Sequence, residues 1–136
     1  MMFFTESDNT YSQSLKTFNK LPDEQKKFVC NGPFKNSPYI KVRISNKYGF
    51  CELYSFDDSS TLIAVLAVAP EYQGKGYGGK LFKQAEAKAK AKGYKKILYD
   101  VKEQNVNSLK LAKKLRLKLI GKEDNEYNFY KNIQVV

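Results

Sequence analysis

The spacing of hydrophobic residues in the first part of the chain predicts two short helices followed by a β-hairpin. Leu15, Phe18 and Leu21 recur at helical intervals in "YSQSLKTFNKL", and "PDEQKKFV" begins with a proline, which is typical of a first helical turn. In "YIKVRIS", residues 39–45, hydrophobic and polar side chains alternate, and Ile40, Val42 and Ile44 are predicted to face inward. "NKYG" is typical of a turn, so "FCELYSF" is predicted to return as the second strand.

The pattern then changes to a buried strand followed by alternating helices and strands. "TLIAVLAVA", residues 61–69, shows no alternation, which is typical of a central strand covered on both faces. "KLFKQAEAKAKAKG" is rich in helix formers and ends at Gly93, while "KKILYDV", "NSLKLAKKLRLKL" and "EYNFYKNI" predict a strand, an amphipathic helix and a final strand. The first of these helices is predicted to bury Leu81, Phe82, Ala85 and Ala89. The sequence therefore predicts an α/β fold (α+β, with one mixed sheet): N-terminal helices, an antiparallel meander, and then β-loop-α-β-α-β.

The composition indicates an ordinary globular chain with an excess of positive charge. The 136 residues carry a net charge of +10, and we expect a single domain over residues 1–136. Between Lys75 and Lys118, fourteen Lys and Arg residues stand against three acids. Such a field favours a polyanionic partner, whether a phosphorylated cofactor, a nucleic acid or an acidic substrate. Solvated surface lysines explain the excess equally well, so charge alone does not choose among these partners.

The residue types that are scarce or missing narrow the chemistry. The sequence contains no histidine, which excludes Ser-His-Asp and Cys-His catalysis and a His-rich zinc site. Cys30 and Cys51 are too few for a disulfide scaffold or a four-thiolate zinc site, so we expect reduced core cysteines and no metal. The longest apolar run, residues 62–70, is too short to cross a membrane, and the N-terminus lacks the features of a signal peptide. We therefore expect a cytoplasmic protein without a membrane partner.

The glycine-rich stretch "VAPEYQGKGYGGKLF", residues 68–82, fits three phosphate-binding patterns. As G-x-x-x-x-G-K it would be a Walker A loop, but that loop needs Ser or Thr after its lysine, and here Leu81 follows Lys80. As G-x-G-x-x-G it would bind a dinucleotide, with Asp100 near the place of a ribose-binding acid. The intervening "APEYQ" and the short remaining chain disfavour that pattern. As Q-x-x-G-x-G it would be the pyrophosphate loop of an acyl-CoA enzyme.

The third pattern accounts for the residues of the loop. A pyrophosphate needs several backbone N–H donors at a helix N-terminus, where the helix dipole is positive. The glycines at 74, 76, 78 and 79 leave room for that approach, and Gln73 can supply a further amide donor. Lys75 and Lys80 add positive charge.

The segment "LAVAPEYQGKGYGGKLF" resembles motif A of the GNAT superfamily of N-acetyltransferases, with the loop [Arg/Gln]-x-x-Gly-x-[Gly/Ala] at Gln73–Gly78. "GYKKILYDV" is similar to the family's next strand, and "NVNSLKLAKKLRL" to the segment N-x-x-A/S-x-x-L-Y-x-K-x-G-F, whose final Gly-Phe corresponds to Arg116 and Leu117. The resemblance covers roughly residues 39–120. It implies a strand that splays from its neighbour before the loop, and direct transfer of an acetyl group from acetyl-CoA to a primary amine. Because a thioester is already activated, no covalent enzyme nucleophile is needed.

The resemblance also implies a cofactor site made largely of backbone groups. Leu66, Ala67 and Val68 would bind the pantetheine arm, and the Leu66 N–H would polarise the acetyl carbonyl and stabilise the charge on its oxygen. Asn105 would contact the pantetheine arm, with Ser108 as a second candidate. The pyrophosphate loop would consist of Gln73, Gly74, Lys75, Gly76, Tyr77, Gly78 and Gly79.

Two catalytic positions of the family are not retained in this sequence. The tyrosine that often protonates the departing thiolate corresponds to Ala112, so the general acid is unassigned. The glutamate that is the general base in some members corresponds to Leu62. By elimination, Glu52 on the neighbouring strand is the candidate base, with Tyr54 or Tyr99 ordering a water. Glu52 is equally well explained as a surface residue of its strand.

These observations lead to one principal hypothesis and two alternatives. We expect an acetyl-CoA-dependent N-acetyltransferase, monomeric or homodimeric, whose acceptor is an amine of a small molecule or protein. Residues 1–35 would form a helical region on the acceptor side, and residues 61–120 the acetyl-CoA-binding core. The alternatives are a non-catalytic basic module that binds RNA or protein on the same fold, and a small dinucleotide-binding protein. A nucleic-acid partner is not favoured, and the sequence does not identify the acceptor.

Overall fold

The protein folds around one six-stranded mixed sheet with strand order β1-β2-β3-β4-β6-β5. A computed structural model describes residues 9–29, 38–55 and 60–134. The strands are β1 (Ile40–Asn46), β2 (Gly49–Tyr54), β3 (Thr61–Val68), β4 (Lys96–Lys102), β5 (Lys118–Glu123) and β6 (Glu126–Asn132). The helices are α1 (Tyr11–Lys20), α2 (Asp23–Lys26), α3 (Tyr77–Ala91) and α4 (Val106–Lys114), with a 3-10 turn at Pro70–Tyr72. The predicted mixed α/β fold, with N-terminal helices before an antiparallel meander, is confirmed.

One face of the sheet packs against α3 and forms the main hydrophobic core. The predicted stripe of this helix is buried: Leu81, Phe82, Ala85 and Ala89. The strands facing it contribute Val42, Ile44, Leu53, Leu62, Ile97 and Val101. Burying an aliphatic or aromatic side chain of this size contributes about 1.5–3 kcal/mol, so this layer supplies much of the folding free energy. The helix ends as predicted, with Gly93 in the left-handed region at φ 91°.

The opposite face is covered by α1, and the contact there is partly polar. The predicted hydrophobic face of this helix is only partly right, because Leu21 is buried while Leu15 is half-buried. Its most buried positions are instead Ser14 and Thr17. The Ser14 hydroxyl donates to the Glu52 carboxylate across the interface at 3.0 Å. Hydrophobic periodicity could not show this, because small polar residues are buried only where such partners exist.

The predicted hairpin forms, and Val42 and Ile44 face the core as predicted, but the alternation of the first strand fails at Ile40. Ile40 pairs with Tyr54 whereas Val42 pairs with Leu53, so the register shifts between them. Val42 packs into the core on the α3 side, and Ile40 packs against the cluster on the α1 side. A bulge adds a residue to one strand, and the side chains on its two sides then face opposite surfaces of the sheet.

The segment 107–119, predicted as one helix, is divided between α4 and β5. α4 ends at Lys114 because Arg116 adopts a left-handed conformation, φ 58°, and the Leu117 N–H donates to the Ala112 carbonyl oxygen. Arg116 thus takes the backbone shape for which glycine is favoured, at the position where the resembling motif has glycine. β5 lies at the sheet edge and is largely exposed, so it lacks the alternation that identifies strands.

Candidate functional site

β3 and β4 separate part-way along their length. The two strands are parallel and pair only where Thr61–Ile63 lies beside Lys96–Leu98. Beyond that point β3 continues to Val68 beside β2, and β4 continues to Lys102 beside β6. Because unpaired backbone groups require other partners, the inner edges of both strands can bind a ligand. This is the separation that was predicted for the strand before the glycine loop.

A cleft of about 700 Å³ opens at this separation, a size typical of ligand sites. Its walls come from β3, the glycine loop, α2 and α4. The predicted site residues that line it are Leu66, Ala67, Val68, Gln73, Gly74, Gly76, Gly78, Gly79, Asn105 and Ser108. From the predicted loop, Lys75 and Tyr77 do not line the cleft.

The N-terminus of α3 is directed at the cleft with uncapped backbone groups. Gly76 is the N-cap residue, and because glycine has no side chain, no side-chain hydrogen bond caps the helix. Gly74 and Gly76 have φ values of 76° and 87°, which larger residues adopt only with strain. A Cβ on Gly78 would lie 3.4–3.6 Å from Leu111, Leu66 and Val68, so the loop fits closely between β3 and α4. Free N–H groups and the helix dipole together favour an anion here.

Gln73 is not a free donor in the cleft, contrary to the prediction. Its Nε2 donates to the Val68 carbonyl oxygen at 3.0 Å and to Gln25 Oε1 at 2.8 Å. Gln25 Nε2 donates back to Gln73 Oε1 at 3.4 Å. This amide pair joins the glycine loop to α2, so Gln73 holds the loop in place. The two glutamines are 48 positions apart, and local sequence gives no sign of the contact.

Tyr77 faces away from the cleft and supports the loop from behind. Its ring stacks on Tyr48 with centroids 4.0 Å apart, and Tyr72 packs edge-on against Tyr48 at 4.7 Å. The hydrogen bond to Tyr48 raises the pKa of Tyr77. Lys80 Nζ lies 5.3 Å from the Tyr77 ring centroid. This aromatic cluster attaches the loop to the β1–β2 turn. Packing against Tyr48 is therefore sufficient to account for a tyrosine at position 77.

Asn105, Ser108 and Tyr99 form a connected group at the start of α4. Asn105 Oδ1 caps the helix by accepting the Ser108 N–H at 3.3 Å, and the Tyr99 hydroxyl donates to Ser108 Oγ at 3.1 Å. Burial raises the pKa of Tyr99 to about 12, although the hydrogen bond with Ser108 acts in the opposite direction. Tyr99 is therefore protonated at neutral pH, and its hydroxyl oxygen can accept a hydrogen bond from a water.

A second cavity of about 400 Å³ lies beside the same separation of strands. It shares Phe28, Leu66 and Asn105 with the cleft, so the two spaces adjoin at the Leu66 position. The two tyrosines predicted to order a water, Tyr54 and Tyr99, both line it. Its charged residues are Lys27, Asp100, Lys102 and Glu126.

Glu52, the predicted candidate base, lines neither the cleft nor the second cavity. Its side chain is 1% exposed, and its Oε2 accepts hydrogen bonds from Arg43 Nε at 2.6 Å and Ser14 Oγ at 3.0 Å. β2 places it opposite Val65 beneath α1. The geometry therefore argues against both interpretations of Glu52, as a base and as a surface residue.

Neither cysteine supports a nucleophilic role in the described structure. Burial, followed by the Glu52 charge, raises the pKa of the Cys51 thiol, so this residue forms no thiolate nucleophile at neutral pH. Cys30 lies outside the described residues.

The α2 wall of the cleft and the part of the α4 wall beyond Ser108 were missed by sequence reasoning. From the α2 region the cleft is lined by Leu21, Glu24, Gln25, Phe28 and Val29, and from α4 also by Lys110, Leu111 and Lys114. The α4 residues had a usable signal, because Leu111 lies three positions after Ser108, and Lys114 lies three positions after Leu111 and four after Lys110. The α2 residues had none, since their placement depends on how α2 packs against the loop.

No group of three His, Cys, Asp or Glu side chains that could hold a metal occurs in the described ranges 9–29, 38–55 and 60–134. Within the same ranges, no helix combines the length and apolar character needed to cross a membrane.

Comparison with known families settles which fold this is. The family model described as "Acetyltransferase (GNAT) family" matches residues 4–116, most of the chain. The chain belongs to the GNAT acetyltransferase family. No curated protein matches it significantly. The expected family and the GNAT-like fold are thus confirmed, and membership supports acetyl transfer at the level of the family.

Solved structures show the same fold. The GNAT domain of S. lividans PAT has a TM-score of 0.72 at 13% identity, over 90% of this chain and 84% of that one. The yncA protein of Salmonella typhimurium, solved with acetyl-CoA, has a TM-score of 0.56 at 18% identity, over 68% of this chain. The paia N-acetyltransferase of Thermoplasma acidophilum, in complex with coenzyme A, has a TM-score of 0.56 at 25% identity, over 61% of this chain. The match spans 64% of the Salmonella chain and 52% of the Thermoplasma chain.

Proposed function

We propose that this protein is an acetyl-CoA-dependent N-acetyltransferase that transfers an acetyl group directly to a primary amine. The observation that carries the proposal is one cleft bounded by the separated edge of β3, the uncapped N-terminus of α3 and the start of α4. Family membership supports acetyl transfer in general. The amine as acceptor is our inference.

The residues present fit the phosphates and the pantetheine arm of acetyl-CoA. The first-turn N–H groups of α3 would bind the pyrophosphate, and Lys110 and Lys114 on the α4 wall would add positive charge. The edge of β3 and the Asn105 side chain would bind the pantetheine amides. Only the Oδ1 atom of Asn105 takes part in capping α4, so its amide nitrogen can donate to the ligand. When bound, the cofactor supplies an acyl group already activated as a thioester.

The contribution of the chain to the reaction is positioning and charge stabilisation. Leu66 lies where the cleft and the second cavity adjoin, and its N–H would donate to the acetyl carbonyl oxygen. The amine would enter from the second cavity and lose one proton. The nitrogen, now neutral, would bond to the acetyl carbon as the C–S bond breaks, and the sulfur would leave with the electron pair. The second proton that the nitrogen then loses would go to the sulfur. Asp100 and Glu126 line this cavity and replace Glu52 as candidate proton acceptors, through a water.

Replacing Gly79 tests where the pyrophosphate binds. Gly79 lines the cleft in the first turn of α3, and a Cβ there meets only Leu111 Cδ1 at 3.7 Å, without a strained φ. We expect Gly79→Glu to weaken acetyl-CoA binding at least about tenfold relative to Gly79→Gln, because the two side chains differ mainly in charge. Both variants should stay folded, since either residue favours helix more than glycine does. Isothermal titration calorimetry measures the affinities, with thermal unfolding as the check on folding.

The same titrations separate the proposal from the dinucleotide-binding alternative. NADH and ATP–magnesium should not bind the unmodified protein, whereas CoA and acetyl-CoA should. If acetyl-CoA fails to bind, the proposed function is wrong. If the Glu and Gln variants bind it equally, the pyrophosphate does not lie at the α3 N-terminus.

A further inference from the structure

The second cavity carries charged side chains of both signs. They are Lys27, Asp100, Lys102 and Glu126. Asp100 and Lys102 are two residues apart on β4 and therefore share one face of the strand, while Lys102 lies opposite Glu126 across the β4–β6 pair. In the part of the chain that the structure describes, no ion pair joins any two of these four residues.

Asp100 differs from the other acids of its basic surroundings. Between Lys75 and Lys118 the chain has three acids. Glu86 pairs with Lys131 at 2.8 Å and Glu103 pairs with Lys122 at 2.7 Å. Among the described residues Asp100 has no cationic partner, and its Oδ1 accepts one hydrogen bond from the neutral Asn128 amide at 2.8 Å. A carboxylate left without a cation, in a strongly basic region and on a cavity wall, is suited to binding a cation from solution.

Asp100 and Lys102 lie at different distances along β4 from the point where the strands separate. Leu98 is the last residue of β4 that pairs with β3, so Asp100 lies just beyond the point of separation and Lys102 lies further out. Along the strands, Lys102 and Glu126 therefore lie further than Asp100 from the point where β3 and β4 pair. Lys27, beyond the end of α2, adds a second positive charge to the lining of this cavity.

We propose, building on the proposed function, that the acceptor is a small amine that also carries an acidic group. Its ammonium group lies at Asp100, the acid nearer to the point of strand separation, and its acidic group lies at Lys102 and Lys27. A diamine of the same length would bring its second ammonium group to these lysines, in a chain whose net charge is already +10. A simple alkylamine would leave both lysines without a partner. The cavity thus selects amino-acid-like acceptors by charge.

Acetylation of three six-carbon amines tests this selection. Aminocaproate, hexamethylenediamine and hexylamine share a primary amine and differ at the other end, which is anionic, cationic or apolar. With saturating acetyl-CoA, release of the CoA thiol should give a kcat/KM for aminocaproate at least about fivefold above that for the diamine, as expected for one partly exposed ion pair.

A charge reversal in the cavity provides the matched comparison. Lys102→Glu should reverse the preference, so that the diamine becomes the better acceptor, without changing the affinity for acetyl-CoA. Lys96→Glu makes the same change on the same face of β4 outside the cavity, and should keep the original preference.

The outcomes distinguish this proposal from the proposed function. An unmodified protein that prefers the diamine or hexylamine overturns the acidic acceptor, and so does a Lys102→Glu variant with the original preference. A protein that binds acetyl-CoA but acetylates none of the three amines also overturns the acidic acceptor and leaves the cofactor assignment intact. Only failure to bind acetyl-CoA removes the proposed function itself.

Discussion

Gly49 is expected to be the least replaceable glycine in the described structure, although it lies outside the glycine loop. It begins β2 and pairs with Val68, at the end of the strand that borders the cleft. An added Cβ would lie 2.2 Å from the Ala67 carbonyl oxygen and 2.9 Å from Val68 Cα. Both are backbone atoms, so no side-chain rotation can relieve the overlap. Gly49→Ala must therefore move β2 and β3 apart.

The cost can be worked from these contacts. An overlap with backbone belongs at the upper end of the range for overpacking, so we expect Gly49→Ala to lower the free energy of unfolding by about 3 kcal/mol. An unfolding entropy of roughly 2.1 cal/mol/K per residue gives about 0.29 kcal/mol/K for 136 residues. The Tm should then fall by about 10 °C. Affinity for acetyl-CoA should also fall while the variant is still folded, because Val68 borders the cleft.

Urea and thermal unfolding of two alanine variants measure this effect. Gly121→Ala is the matched control, because Gly121 also lies in a strand and a Cβ there meets nothing within 4 Å. We expect the control to stay within about 0.5 kcal/mol of the unmodified protein. If Gly49→Ala is as stable as this control, β2 and β3 can move apart at little cost in free energy, and the reasoning is refuted.

Two further predictions concern charge and protonation. Replacing both Lys110 and Lys114 by alanine should weaken CoA binding about tenfold and reduce its salt dependence, whereas Lys113→Ala, on the same helix outside the cleft, should change the affinity less than about twofold in calorimetry. The pKa of Tyr99 is about 12 in the fold against 10.0 for a free tyrosine, so the unfolded chain loses this proton first as pH rises. The free energy of unfolding should therefore fall between about pH 10 and pH 12, by up to about 3 kcal/mol from this residue. Tyr99→Phe should remove that part of the slope in urea unfolding, and an unchanged slope would contradict the assignment.

Local patterns were enough to predict most of the fold. The stripe of α3, the unalternating β3 and the glycines after it follow from residues close together in sequence, and each appears where it was expected. β5 was missed because an exposed edge strand shows no hydrophobic alternation. Its start depends on Arg116, whose left-handed backbone no propensity would have predicted.

The sequence by itself determined the family, the glycine loop, the residues of β3 beside it and the position of Asn105, because these residues recur at a fixed spacing along the chain. Only the tertiary structure decided what the long side chains do. Gln73 binds Gln25 of α2 instead of facing the cleft as a free donor, and Glu52 is buried against Arg43 instead of lying in the site. The reason is physical. A backbone N–H site is set by local conformation, whereas a side chain takes the partner that distant packing brings within reach.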